Sequence, residues 1–211
     1  MTYQLTARQL YYLGKLLDAK YIEYTYVSAV EQILDSFETY ENEIRDELIA
    51  KGYLSEDFSG EITLNDDLKQ VVSPLFFSAK EASIDVCQLG EDEDLQSYRI
   101  HVMDDKITLV ENEEDHLKLE NAGREDVEKI IDRILPEDYT DEKAPSISAF
   151  EAEKISEMIT VKSADPETKC VTKTFVMTGG FLYEESTEDV ISSVSKDKFI
   201  QDAQAILSEV I

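Results

Sequence analysis

The sequence predicts an α+β fold: a pseudo-twofold repeat of helix, antiparallel strands and helix, forming a central antiparallel sheet with helices packed around it. Three observations carry this expectation. Tyr98 to Lys118 can be laid on Thr172 to Ser192 without a gap, and Val102, Met103, Glu111, Glu114 and Asp115 are then identical to their partners. With a small change of offset, a helical pattern of Val127, Ile131, Ile134 and Leu135 matches Phe199, Ala203, Ile206 and Leu207. Upstream, Leu5-Thr6-Ala7-Arg8-Gln9 with Leu13, Leu16 and Leu17 matches Ile147-Ser148-Ala149-Phe150-Glu151 with Ile155, Met158 and Ile159. Both upstream segments have the form of a capping box, a hydroxyl at the N-cap and a Gln or Glu three residues on, so each predicts a helix.

Taken in order, Thr6 caps a helix to about Leu17, with Leu5 and Leu10 placed to close a hydrophobic staple. Leu10, Leu13, Leu16 and Leu17 form its apolar stripe. The tyrosine-rich run Tyr21, Tyr24, Tyr26 and Val27 reads as extended. A long helix follows from about Ser28 to Lys51, through Val30, Ile33, Leu34, Phe37, Ile44, Leu48 and Ile49, and Gly52 closes it. Asn65 caps a shorter helix that Pro74 perturbs. Ser83 to Leu89 alternates as a strand, and Gly90 to Asp94 is a turn or exposed loop. Tyr98 to Met103 and Lys106 to Val110 form a hairpin across Asp104-Asp105. Its counterpart turns at Thr178-Gly179-Gly180, where glycine accepts the backbone angles of primed turns. Short strands at Leu117 and Val190 complete each copy, and a helix covers each. The proline-bracketed stretch Pro136 to Pro145 is the boundary between halves, at 1–138 and 139–211, whose strands are expected to join in one sheet.

Composition narrows the function. A chain of 211 residues with 42% apolar content can bury a large core. Forty-seven carboxylates against 20 cations give a formal charge of -27, which repels nucleic-acid phosphates and anionic lipid. No run approaches the roughly 20 apolar residues of a membrane span, and the start lacks the pattern of a secretion signal, so a cytoplasmic protein is expected. Cys87 and Cys170 lie in strand-like runs without CxxC spacing and read as reduced thiols.

Chemistry-bearing constellations are sparse. His101 alternates within a strand, which favours packing. His116 could pair with Glu113 or Asp115, yet it has no second histidine nearby to complete a metal site. Neither the acidic runs nor the glycines match a calcium loop, a phosphate loop or a nucleophile elbow. No catalytic residue, metal or cofactor is therefore assigned, and the chain is expected not to be an enzyme. A protein-binding surface remains. One hairpin face carries Tyr98, Ile100 and Val102 with Thr172, Thr174 and Val176. The other carries Arg99, His101 and Met103 with Lys173, Phe175 and Met177, a mixture of cations, an aromatic and flexible methionines suited to partner contact. Those six residues, with Glu91 and Asp92 of the adjoining loop, are the candidate site; that helices cover this face instead is the competing expectation.

The parts Leu5 to Leu13, Gly60-Glu61-Ile62-Thr63-Leu64 and the helix to Pro74, the strand around Ile84-Asp85-Val86, Ser146-Ile147-Ser148, and the hairpin and helix from Gly180 to Leu207 stand in an order that resembles the EspG family of type VII (ESX) secretion chaperones. The form is a diverged one, such as Gram-positive relatives outside the mycobacteria would have. The resemblance implies a cytoplasmic, non-enzymatic adaptor that holds a helical secretion substrate and shields its apolar tip. The partner would be PE/PPE-like, WXG100-like or LXG-type, with no nucleic acid and no membrane insertion, and with a homodimer left open. An acidic immunity protein that neutralises a basic toxin through Glu111 to Asp115 or Glu185 to Asp189 is the alternative.

Overall fold

The computed structural model describes all residues except 32–36, 90–93, 136–138, 141–143, 166–169 and 186–190. In chain order the elements are β1 (Thr2–Leu5), α1 (Ala7–Leu16), α2 (Tyr24–Glu31), α3 (Phe37–Ala50), β2 (Leu54–Glu56), β3 (Ile62–Leu64), α4 (Asp66–Phe77), β4 (Lys80–Gln88), β5 (Asp94–Met103), β6 (Lys106–Asn112), β7 (Leu117–Ala122), α5 (Arg124–Arg133), β8 (Ile155–Ala164), β9 (Val171–Thr178), β10 (Phe181–Glu185), β11 (Ile191–Val194) and α6 (Lys196–Leu207). The fold is α+β, as expected. Nine strands hydrogen-bond in the order β1-β7-β6-β5-β4-β8-β9-β10-β11, and β2 pairs with β3.

That order is arranged about a central pair. Outward from the β4–β8 pair, β5-β6-β7 on one side answers β9-β10-β11 on the other. Each trio is followed in sequence by a helix, α5 or α6. Val127, Ile131 and Ile134 are buried on α5 just as Phe199, Ala203 and Ile206 are on α6, so the helix register read from the sequence holds.

The third element of the expected repeat does not form. Residues 146–151 carry no helix, and the segment from Ile155 is strand β8. Ile155, Met158 and Ile159 mimic a helical stripe, but the run to Ala164 also alternates, with Glu157, Ile159, Val161 and Ser163 buried. Pairing on both edges, to β4 and β9, decides the ambiguity in favour of the strand. The tyrosine-rich segment is a second correction: Tyr24 opens helix α2, and Tyr26 and Val30, four apart, enter the core. Burial here overrides the strand propensity of tyrosine. The centre of the long helix expected over 28–51 lies outside the described residues; its two ends are α2 and α3.

Two compact units divide the chain, residues 1–79 with 101–121, and residues 80–100 with 122–211.

In the first unit, Leu5, Leu10, Leu13, Leu48, Leu68, Val72, Phe76 and Leu119 are fully buried in one cluster. Thr6 caps α1 through a complete capping box: its hydroxyl accepts from the Gln9 amide at 3.2 Å, and the Gln9 side-chain oxygen accepts from the Thr6 amide at 3.1 Å. Tyr40 donates its hydroxyl to the Arg8 carbonyl at 2.8 Å, and burial pushes its pKa up to about 12. Asn65 caps α4, which continues through Pro74 to Phe77. In the second unit α6 packs on β8, and α5 lies against α6. Gly179 and Gly180 both take positive φ, 60° and 80°, as the two-residue turn between β9 and β10 requires.

Candidate partner-binding face

Within the second unit, the register of β4, β8 and β9 separates two faces. On one, Val86, Ile159 and Phe175 form a cross-strand row beside Ile84, Val161 and Lys173. On the other lie the rows Cys87, Met158 and Val176; Asp85, Thr160 and Thr174; and Ser83, Lys162 and Thr172.

The first face is covered. Phe175 and Phe199 of α6 are fully buried, with ring centroids 4.9 Å apart and planes at 79°. Lys173 reaches over the Phe175 ring, at 5.3 Å from its centroid, and forms ion pairs with Glu184 of β10 and with Asp202 of α6, the latter at 2.5 Å. Lys198 closes on the same Asp202 carboxylate. Burial alone would raise the Asp202 pKa, but the hydrogen bonds from Lys173 and Lys198 outweigh it and hold the carboxyl below its ordinary value. For Lys173, burial would lower the pKa, and the bonds to Asp202 and Glu184 outweigh that and raise it. These charges fasten α6 to the sheet.

The second face stays half open. Asp85, Cys87, Arg99, Met158, Thr160, Lys162 and Thr174 are intermediate in exposure, and Thr172 is exposed. Ser97 donates its hydroxyl to Asp85 at 2.6 Å, and the Arg99 guanidinium lies 3.5 Å from the same oxygen. The Thr160 and Thr174 hydroxyls meet at 3.1 Å. The result is a band of hydroxyls around one part-exposed ion pair, with Met158 as its flexible apolar member. An ion pair at this exposure contributes about 0–1 kcal/mol, so its partners can be re-matched at small cost when another surface arrives.

The residues picked out from the sequence thus separate. Arg99 belongs to the half-open face, and Met103, four positions on, is half buried. His101 is only 3% exposed, and its Nε2 lies 3.3 Å from a Glu23 carboxylate oxygen. Lys173, Phe175 and Met177 are on the opposite, covered face, with Phe175 and Met177 at 0% exposure. The expectation that His101, Phe175 and Met177 present an open surface is therefore corrected. Glu91 and Asp92 lie outside the described residues.

The cause is a slip of one residue. Both hairpins have two-residue turns, Asp104-Asp105 between β5 and β6 and Gly179-Gly180 between β9 and β10. Matching the turns pairs Arg99 with Thr174 and His101 with Val176, whereas sequence identity had paired Arg99 with Lys173. Strand side chains alternate with period two, so one step exchanges the faces. The missed residues are Asp85, Thr160, Lys162 and Thr174. Their signal is the alternation of polar residues in β4 and β8, which in β8 is masked by the helical spacing of Ile155, Met158 and Ile159.

The acidic elbow between β6 and β7 is internally paired. Lys118 bonds Glu111 at 2.8 Å, which raises the lysine pKa, and His116 lies 2.5 Å from Glu113. Most of its counterpart, 186–189, lies outside the described residues.

No protein-family model matches the sequence, and no curated protein matches it either. The backbone is similar to that of EspG5, a chaperone of the Mycobacterium tuberculosis type VII secretion system, seen in complex with a PE25–PPE41 dimer. The TM-score is 0.58 at 8% identity, covering 100% of this chain and 97% of that one. The fold is EspG-like. At this identity the likeness concerns the path of the backbone, and the chemistry of the half-open face belongs to this chain's own residues. No helix among the described residues is long and apolar enough to cross a membrane.

Proposed function

We propose that this protein is a cytoplasmic, non-catalytic chaperone that binds a helical substrate of a type VII secretion system and keeps it soluble and export-competent. The observation that supports this is an end-to-end backbone likeness to a chaperone of that class. The half-open band of Asp85, Arg99, Met158, Thr160 and Lys162 supplies a place for contact. Hydroxyls and an exchangeable ion pair suit reversible docking of a polar helical surface, and Met158 adapts to an apolar side chain. The strongly negative surface raises the barrier to wrong, acidic partners more than it adds affinity.

Co-expression with each small helical protein encoded nearby tests the reading. One of them is expected to co-elute, and the Arg99→Glu, Lys162→Glu double variant to bind it at least fivefold more weakly with an unchanged unfolding midpoint. A chain that elutes alone in every pairing overturns the proposal.

A further inference from the structure

The hairpin of β2 and β3 in the first unit carries a feature that the chaperone reading does not use. At its tip Phe58 has 112% relative exposure, higher than any other large apolar side chain among the described residues. The backbone that carries the ring is held in a closed turn. The Asp57 carboxylate accepts hydrogen bonds from the Ser59 amide at 2.8 Å, the Ser59 hydroxyl at 2.6 Å and the Glu61 amide at 2.9 Å. Backbone bonds from Gly60 to Asp57 at 3.0 Å and from Asp57 to Glu61 at 3.0 Å close the loop, with Gly60 at a φ of 82°. Hydrogen bonds from Ser59, and from the backbone around it, hold the Asp57 pKa below its ordinary value.

The surroundings of the ring are acidic. Between Lys51 and Lys69 the chain has no cation, and it carries Glu56, Asp57, Glu61, Asp66 and Asp67. Arg45 of α3 lies 4.0 Å from Glu56 but sits closer to Asp46, at 3.3 Å. An exposed aromatic on a pre-ordered loop loses little conformational entropy on binding, and such anchors dominate the energetics of protein interfaces. A collar of one charge sign selects a partner of the other.

We infer that Phe58 is an anchor for a second protein: a partner with an apolar pocket ringed by lysine or arginine, into which the ring inserts while Glu56, Asp57 and Glu61 meet the rim. This does not depend on the chaperone reading. The test is photocrosslinking in cells of the source organism, with p-benzoylphenylalanine in place of Phe58 in the full chain and, as control, in place of Ser55. The expected result is an adduct specific to position 58 with a protein other than this chain, mapped to an apolar pocket with basic residues around it. That adduct should fall at least fivefold in the Glu56→Lys, Glu61→Lys background. With the identified protein purified, Phe58→Ala should weaken binding at least tenfold while leaving the unfolding midpoint and any co-eluting secretion substrate unchanged. No adduct above the Ser55 control, an adduct with a second copy of this chain, or a crosslinked site without basic neighbours would overturn the inference.

Discussion

Replacing Phe175 with alanine separates the two faces of the sheet by experiment. The ring is fully buried against Phe199. Removing it forfeits about 1.5–3 kcal/mol of transfer free energy. The lost edge-to-face pairing adds about 0.5–1.5 kcal/mol, and the cavity left beneath α6 brings the total to about 3–5 kcal/mol. For a chain of this size each kcal/mol lowers the melting temperature by roughly 2–4 °C, so the midpoint should fall by roughly 6–20 °C. Thr174→Ala, one residue away on the half-open face, should cost less than about 1 kcal/mol. Urea titrations followed by circular dichroism measure both. A double cycle with Phe199→Leu and Phe175→Leu should show a coupling of about 0.5–1.5 kcal/mol. The reasoning fails if Phe175→Ala keeps wild-type stability and loses only partner binding, because the ring would then be facing a partner instead of α6.

Other outcomes follow from the charges and the caps. Asp202 has a depressed pKa in the folded state, so its contribution is present at neutral pH and disappears as pH falls through the folded value. The midpoint difference between wild type and Asp202→Asn should therefore be largest near neutral pH and shrink below about pH 4 in melts across that range. Lys173, with a raised pKa, adds stability that is lost only on the alkaline side, above its ordinary range near 10.5. Thr6→Ala removes a hydroxyl from a complete capping box and should cost about 1 kcal/mol in denaturant unfolding, whereas Thr6→Ser should restore most of it.

Local chemistry was legible from residues alone wherever a short stretch decides the outcome. The Thr6 and Asn65 caps, the Gly179-Gly180 turn, and the paired helices whose Val127 and Phe199 rows enter the interior all formed where their spacing placed them. The three-strand runs and the helix after each were visible too, because a turn and an amphipathic helix leave their marks within a few residues. The same logic misplaced the strand register by one step, since identity at Val102 and Met103 outweighed the turns in the alignment, and a single step is enough to turn every side chain over.

Three decisions belonged to the tertiary structure. Ile155 to Ala164 became a strand because two neighbours were waiting to pair with it, and Tyr24 to Glu31 became a helix because Tyr26 and Val30 had a core to enter. The covering of one sheet face was settled by α6, from residues distant in sequence, through Phe199 and Asp202. Hydrogen-bond propensity and periodicity act over one or two turns of chain, so the sequence by itself determined the helix caps, the hairpin turns and the amphipathic helices α5 and α6. Which side of the sheet meets solvent depends on long-range packing, and that only the assembled fold could decide.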